Sequence, residues 1–306
     1  MSRYVIRRTL WSIPVLLAVS IITFLLMHSI PGGPFAREKK LPPEIIANLE
    51  RKYDLDKPLW NQYLDYMGGI VLHFDFGPSY KSTTRDVNDI FRDHIPVSAQ
   101  LGGLALAIAI FIGIPLGIIA ALKQNTVVDY GSMFIAVLGL SIPNLALGPF
   151  LIWVFALKLD ILPVATWRGP EYMILPAITL GTAYSAYIAR FTRAAMLQVV
   201  REDYVRTARA KGLSERLVIL RHALKNALIP VITIIGPMFA IVLTGTVVVE
   251  TIFAVPGLGR YFVTSITNRD YPVIMGTTLL FAGVIIVTNL IVDILYAFLD
   301  PRIRYQ

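Results

Sequence analysis

The amino-acid sequence predicts an all-α polytopic membrane protein with six transmembrane helices. Three observations carry that prediction. Of 306 residues, 56% are hydrophobic and only 16% are charged, against the roughly 25% charged residues of a soluble domain. Six stretches are long and apolar enough to cross a hydrocarbon core that takes roughly 20 helical residues. The Lys and Arg residues collect between those stretches, so the net charge of +8 reads as the positive-inside bias of membrane proteins and not as a nucleic-acid surface. Cys is absent, which excludes disulfides, zinc–thiolate sites, iron–sulfur clusters and a thiol nucleophile.

The first span is expected from Leu10 to Ile30. It follows the basic start Arg3, Arg7 and Arg8. Its apolar run exceeds the 7–15 residues of a signal-peptide core, and Ile30-Pro31-Gly32-Gly33-Pro34 offers no small-x-small cleavage site, so it reads as a retained anchor. The second span is expected at Ser98–Leu122, the third at Ser132–Leu157, the fourth at Met173–Arg190, the fifth at Ala227–Glu250 and the sixth at Val273–Leu299. Pro115, Gly139, Pro143, Gly148, Pro149, Pro176, Pro237 and Gly245 fall inside these spans. A bundle tolerates them, because neighbouring helices re-satisfy freed backbone groups and small residues permit close packing. With the N-terminus inside, the inner segments hold 15 Lys/Arg and the two short outer loops hold 4. Both termini are therefore expected in the cytoplasm.

Residues 31–95 do not cross. Their charge nearly balances, with nine Lys/Arg against ten Asp/Glu. Pro42-Pro43-Glu44 opens a helix through Tyr53. Asp56-Lys57-Pro58 opens a second, with Leu59, Tyr63 and Tyr66 on one face, and Phe74–Ser79 breaks it. The segment is too apolar for a linker. It reads either as a lid on its own bundle or as a docking surface for an external partner.

The loop between the fourth and fifth spans is the most informative stretch. Glu202 and Asp203 suit a helix start, and Arg209 and Lys211 suit its end, by the helix dipole. Gly212 fits the left-handed position beyond a C-terminal cap. A helix of about three turns is expected to end there, with Val205 and Ala208 on a small face suited to the groove of another protein and Thr207 and Ala210 nearby. Ser214 suits the cap of a helix leading into the fifth span.

This loop resembles the signature loop of ATP-binding-cassette importer permeases, whose pattern is Glu-Ala-Ala, three residues, Gly, nine residues, Ile-x-Leu-Pro. Ala208, Gly212 and Leu224 match it; Arg206, Thr207, His222 and Lys225 depart from it. The run Arg206-Thr207-Ala208-Arg209-Ala210-Lys211-Gly212-Leu213, with Arg221-His222-Ala223-Leu224-Lys225-Asn226-Ala227, is similar to the peptide-importing branch. So are Ala121–Thr126, Val249-Glu250-Thr251-Ile252-Phe253 with Pro256-Gly257-Leu258-Gly259, Asn268-Arg269-Asp270-Tyr271-Pro272, and the tail Asp300–Tyr305. The likeness spans essentially the whole chain.

The resemblance implies the type I ABC importer permease fold. It also implies oligopeptide or dipeptide import across a bacterial inner membrane. The expected partners are a second, homologous permease subunit, two ATPase subunits, a periplasmic peptide-binding protein, the lipid bilayer and the peptide itself. Val205, Arg206, Thr207, Ala208, Arg209, Ala210, Lys211, Gly212 and Leu213 would form the coupling helix that seats in an ATPase subunit. The expected division is 1–96 for the first helix with the long periplasmic segment, 97–299 for the permease domain and 300–306 for a cytoplasmic tail.

No Gly-x-x-x-x-Gly-Lys-Ser/Thr loop occurs, so no cofactor is expected on this chain, and ATP and Mg belong on the partner ATPase subunits. His28, His73, His94 and His222 show no metal-ligand spacing, and no catalytic constellation appears. A charge at the bilayer centre costs about 2.5–3.5 kcal/mol or more. Arg190 and Arg193 late in the fourth span, and Asp293 late in the sixth, are therefore read as structural, with Asp293 paired to a basic neighbour. Glu250, at the outer end of the fifth span, is a candidate for the outer mouth. Two readings stand beside the peptide importer: a dipeptide or nickel permease of the same branch, and an ion-coupled secondary transporter. The second needs intramembrane carboxylates or broken helices in related halves.

Overall fold

The computed structural model describes residues 2–35, 42–82, 84–244 and 247–299. The tail at 300–306 and Gly245 lie outside them. Among the described residues the chain is helical, and its one extended pairing is an isolated bridge between Pro78 and Asp86. In chain order the helices are α1 (Ser2–Ser29), α2 (Pro43–Lys52), α3 (Leu59–His73), α4 (Val87–Leu122), α5 (Val127–Ser141) and α6 (Asn144–Leu151). They continue with α7 (Glu171–Val199), α8 (Asp203–Ala210), α9 (Glu215–Leu217), α10 (Leu224–Thr244), α11 (Val247–Ile252), α12 (Leu258–Asn268) and α13 (Tyr271–Leu299). A π-helical stretch, Ile152–Lys158, prolongs α6, and another, Val218–Ala223, joins α9 to α10.

Five helical stretches are long and apolar enough to cross a bilayer: Ile6–Ser29, Val87–Leu122, Glu171–Val199, Glu215–Phe239 and Tyr271–Ile294. The expected third span is different. It is broken, with Val127–Ser141 and Asn144–Lys158 bent by 101°. Pro143 is the cause. Its ring disfavours the helical conformation of the residue before it, and Ile142 is extended, with φ −90° and ψ 115°.

The chain divides into two compact units. The first is built on Ser98–Pro256 and takes in the described chain beyond Val287; the second is built on Ile6–Val97 and Gly257–Ile286.

In the first unit α4 and α7 lie almost backbone to backbone. A Cβ placed on Gly113 would meet the Ser185 carbonyl oxygen at 2.7 Å, and one on Gly117 would meet the Ala189 carbonyl oxygen at 2.5 Å. From the other side, a Cβ on Gly181 of α7 would meet the Ala105 carbonyl oxygen at 2.6 Å. Gly113-x-x-x-Gly117 is thus a small-residue seam of the kind that lets membrane helices approach without a hydrophobic driving force. Gly113 and Gly117 are not among the span glycines noted from the sequence, because only the approach of α7 gives the spacing its role.

The register of this seam settles the topology. Ala105 meets Gly181, Gly113 meets Ser185, and Gly117 meets Ala189 and Thr192, so residue numbers rise together along both helices and the two run in the same direction. The chain between them must therefore return across the bilayer. The bent α5–α6 pair makes that crossing, which gives the six expected spans.

The second unit gathers the long segment after α1 around the start of α13. Pro43 occupies the first turn of α2 and Pro58 precedes α3, as Pro favours where no backbone donor is needed. Asp270 accepts from the Ser79 hydroxyl at 2.5 Å and from the Tyr80 amide at 3.1 Å. Arg269 donates to the Pro31 and Gly33 carbonyls, Tyr271 to Met27 and Tyr66 to Pro272. The Asn268–Pro272 motif is therefore the anchor of that segment. Burial, reinforced by Asp270, pushes the Tyr80 phenol far above its usual range, so it stays protonated. The first turns of α4 also belong here. Val87, Ile90 and Phe91 are buried against Leu258 and Val273, which explains why α4 begins eleven residues before the apolar stretch does.

Candidate functional site

The loop joining α7 to α10 is a formed structure. α8 has two turns, against the three expected. At its end the Gly212 amide donates to the Arg209 carbonyl at 2.9 Å and the Leu213 amide to the Ala208 carbonyl at 3.4 Å. This pair of bonds is a Schellman motif. Gly212 takes φ +77°, the left-handed conformation that a Cβ penalises by about 1–2 kcal/mol. The sequence-based placement of this glycine therefore agrees with the backbone.

A second tie spans the same turn. The Arg209 guanidinium donates to both Glu215 oxygens, at 2.7 and 3.1 Å, and the carboxylate holds Arg209 above its already high pKa. Asn226 of α10 donates to the Tyr204 hydroxyl at 2.8 Å. Ser214 precedes α9, but its side chain makes no capping bond.

The orientation of α8 corrects one expectation. Val205 and Ala208 do not face outward; both are buried with Val218, and Val199, Leu213 and these three form one cluster. The small face is consumed inside the chain. Arg206, Thr207, Arg209, Ala210, Lys211 and Gly212 remain exposed, with Leu213 half-buried beneath them. The physical reason is ordinary: an eight-residue helix is too short to stand alone in water, so its apolar side must pack on its own base.

Ala208→Trp is accordingly expected to unpack the loop from within. Hydrogen exchange across 203–213 should rise in the chain without any partner present. Unchanged exchange in the isolated chain, together with loss of a bound partner, would place that face outside after all.

A cavity of about 590 Å³ lies in the same unit. Leu140 and Asn144 border it from the two sides of the α5–α6 break, Tyr184 and Tyr187 from α7, and Thr233, Pro237 and Met238 from α10. The wall is mostly apolar, with an amide and a few hydroxyls set into it. Such a surface accommodates varied side chains while offering hydrogen bonds at few points. None of these residues was singled out in the sequence as a pathway residue, because Pro143 marks a break in the span locally but only the packing of α7 and α10 beside it makes Asn144 part of a cavity wall.

The buried charges also differ from expectation. Arg193, not Arg190, carries the ion pair. Its guanidinium donates to both oxygens of Asp129, each at 2.7 Å, and Asp129 also accepts the Asn125 amide at 3.0 Å. Asp129 is 1% exposed and Arg193 27%. Arg190 is exposed and makes no ion pair among the described residues. Asp293 is half-buried late in α13. Glu250 lies on α11, fully buried, and accepts the Ser98 hydroxyl at 2.7 Å. It therefore joins α11 to α4.

Comparison with known proteins is consistent along the whole chain. Residues 113–305 match the family model described as the binding-protein-dependent transport system inner membrane component. Residues 1–102 match the model of the corresponding N-terminal region. The chain is 48% identical to a dipeptide transport system permease protein of Bacillus subtilis over 304 residues, covering 99% of this chain and 98% of that protein. It is 46% identical to the oligopeptide transport system permease protein of Escherichia coli K12 over 307 residues, covering both chains fully. Its fold resembles the MetNI methionine ABC transporter in an inward-facing conformation, with 14% identity, a TM-score of 0.58 and coverage of 69% of this chain and 96% of that one. It also resembles an amino acid ABC transporter, with 18% identity, a TM-score of 0.52 and coverage of 71% and 95%. At these identities the structural likeness speaks for the fold.

Proposed function

The chain belongs to the family of binding-protein-dependent transport system inner membrane components, and from that premise we propose that it is the peptide-conducting permease subunit of an ATP-driven importer. The observation that carries the reading is its identity of 46–48%, end to end, with permeases named for oligopeptide and dipeptide transport. Family membership sets aside the ion-coupled transporter.

On this reading the chain is a non-catalytic, multi-pass subunit of a bacterial inner membrane, with both termini in the cytoplasm. It pairs with a second homologous permease and with two ATPase subunits that hold ATP and Mg. A periplasmic peptide-binding protein delivers the substrate. The missing phosphate loop agrees with this division, since the chain lacks the backbone cradle and lysine that hold nucleotide phosphates.

The geometry supports a mechanism for coupling. The exposed side of α8 and the Gly212 turn form the surface that an ATPase subunit grips. The inner side of α8, the Arg209–Glu215 strap and the Asn226–Tyr204 bond make the loop a stiff body. A displacement of α8 therefore passes into α10 and α7, which both border the cavity containing Asn144, Tyr184 and Thr233. The apolar wall suits a peptide whose side chains vary, with the few polar groups meeting its backbone.

The test is purification of the tagged chain from native membranes in mild detergent, with mass identification of stoichiometric companions. A second permease and two phosphate-loop proteins are expected. Arg206→Glu with Lys211→Glu should reduce the ATPase subunits retained while leaving the second permease in place. A chain that purifies alone and moves solute without ATP would overturn the reading.

A further inference from the structure

Helix α3 carries a face that nothing among the described residues covers. Trp60, Leu64 and Val71 recur at helical spacing and are 63%, 49% and 67% exposed. An adjoining face, roughly a quarter-turn away, holds Tyr63, Tyr66 and Ile70, which turn inward. Asn61 and Asp65 form a third, polar side, where Asp65 pairs with Lys57 at 3.1 Å. An exposed apolar stripe on a segment outside the spans needs an occupant.

The contacts of α3 with α1 decide which. The Tyr63 hydroxyl lies 2.7 Å from the Ser20 hydroxyl, in a buried hydrogen bond. The Tyr63 ring packs edge-on against Phe24, with centroids 5.4 Å apart. Leu59, Trp60 and Tyr63 share a groove with Ile21, Phe24 and Leu25. α1 crosses as Ile6–Ser29, so these α1 residues sit four to nine residues before its C-terminal end. At 1.5 Å per residue that is roughly 6–14 Å along the helix axis, less a few ångströms for the part of α1 that exceeds a core of about 30 Å.

With Ile6–Ser29 spanning the hydrocarbon core, these contacts place the first turn of α3 level with the last turns of the span and not beyond its end. On α1, Ile22, Leu25 and Leu26 are exposed, and Leu25 lines the same groove as Trp60. On the multi-pass reading of this chain, we infer that α3 lies in the bilayer interface of the leaflet that adjoins the C-terminal end of α1, with Trp60, Leu64 and Val71 in contact with lipid acyl chains. The occupant of the stripe is lipid. An amphipathic helix in this position buries its apolar face about 5–10 Å into the headgroup–acyl boundary, which is the depth that the α1 contacts impose. Trp60 then sits where its amphipathic ring is favoured, and Asn61 and Asp65 point toward water. The segment between the first two spans is in this respect an interfacial collar on α1 as well as a folded layer above it.

The chain contains no Cys, so single cysteines can be spin-labelled without background. Trp60→Cys, Leu64→Cys, Val71→Cys and Asn61→Cys would be labelled in the full chain, purified with its partners and reconstituted into phosphatidylcholine–phosphatidylglycerol bilayers. Collision with oxygen, which partitions into lipid, would be compared with collision with a water-soluble nickel chelate. Positions 60, 64 and 71 should collide with oxygen several-fold more than with nickel, and position 61 should show the reverse. Nickel dominance at all four would place α3 in water and overturn the proposal. Protection from both reagents at 60, 64 and 71 would mean that a protein covers the stripe, and would also overturn it. Leu64→Cys is at an exposed site and provides the reading even if Trp60→Cys disturbs packing on α1.

Discussion

Asp129→Ala should destabilise the chain by about 3 kcal/mol, the lower part of the range for breaking a buried ion pair by removing one partner. The lower part applies because Arg193 keeps 27% of its side chain exposed and can turn toward water once its carboxylate is gone. Two losses add. The guanidinium loses two charge-assisted bonds of 2.7 Å, and the Asn125 amide loses its acceptor in the turn between α4 and α5. The measurement is thermal unfolding in mild detergent, run as a double-mutant cycle with Arg193→Ala. The double variant should be markedly more stable than the sum of the two single losses predicts. Simple additivity would show that the pair is not what holds α5 to α7. A functional effect should accompany the loss. Arg201 of the same helix end donates to Gln124 at 3.3 Å, so the α4–α5 turn and the base of the α7–α10 loop are joined at two points.

Gly117→Leu should be more damaging still, leaving little folded chain in the membrane. A side chain at this position has nowhere to turn. The first carbon alone would meet the Ala189 carbonyl oxygen at 2.5 Å, the Thr192 Cβ at 2.6 Å and the Arg193 amide nitrogen at 3.0 Å. Two of the three are backbone atoms, which a rotamer change cannot move, so α4 and α7 must separate. Gly117→Ala already overpacks the seam, at a cost of about 1–3 kcal/mol. Gly131→Ala is the control, because a Cβ there meets nothing within 4 Å. The yield of monodisperse chain after detergent extraction reads the series. Equal yields for Gly117→Leu and Gly131→Ala would remove the seam from the account of stability. Since Gly117 abuts the residue that pairs with Asp129, combining the two substitutions should be non-additive.

Much of this was legible from residues. Span positions followed from apolar length, and the end of α8 followed from Gly212, because only one residue type occupies that conformation cheaply. The breaks after Tyr53 and at Phe74 followed from turn residues. What misled was direction. Val205 and Ala208 were correctly grouped on one face, but periodicity identifies a face without saying what it packs on. The same limit applies to the charges. Arg190 and Arg193 are three residues apart on one helix, and only the approach of α5 decides that the second finds a carboxylate. Counting along the fifth span places Glu250 in sequence, whereas its hydrogen bond to Ser98 joins residues 152 positions apart.

The sequence by itself determined the class of protein, the number of crossings, the position and end of the short helix between α7 and α10, and the family. These depend on local quantities: apolar length, the φ that a glycine permits, and charge counted between spans. Tertiary structure alone decided that Asp129 clamps Arg193, that α8 buries its small face against Val218, and that α3 is docked against α1 through Tyr63 and Ser20. Each of those is a meeting of residues distant in the chain, and the free energy of such a meeting belongs to the pair, so neither partner's sequence neighbourhood contains it.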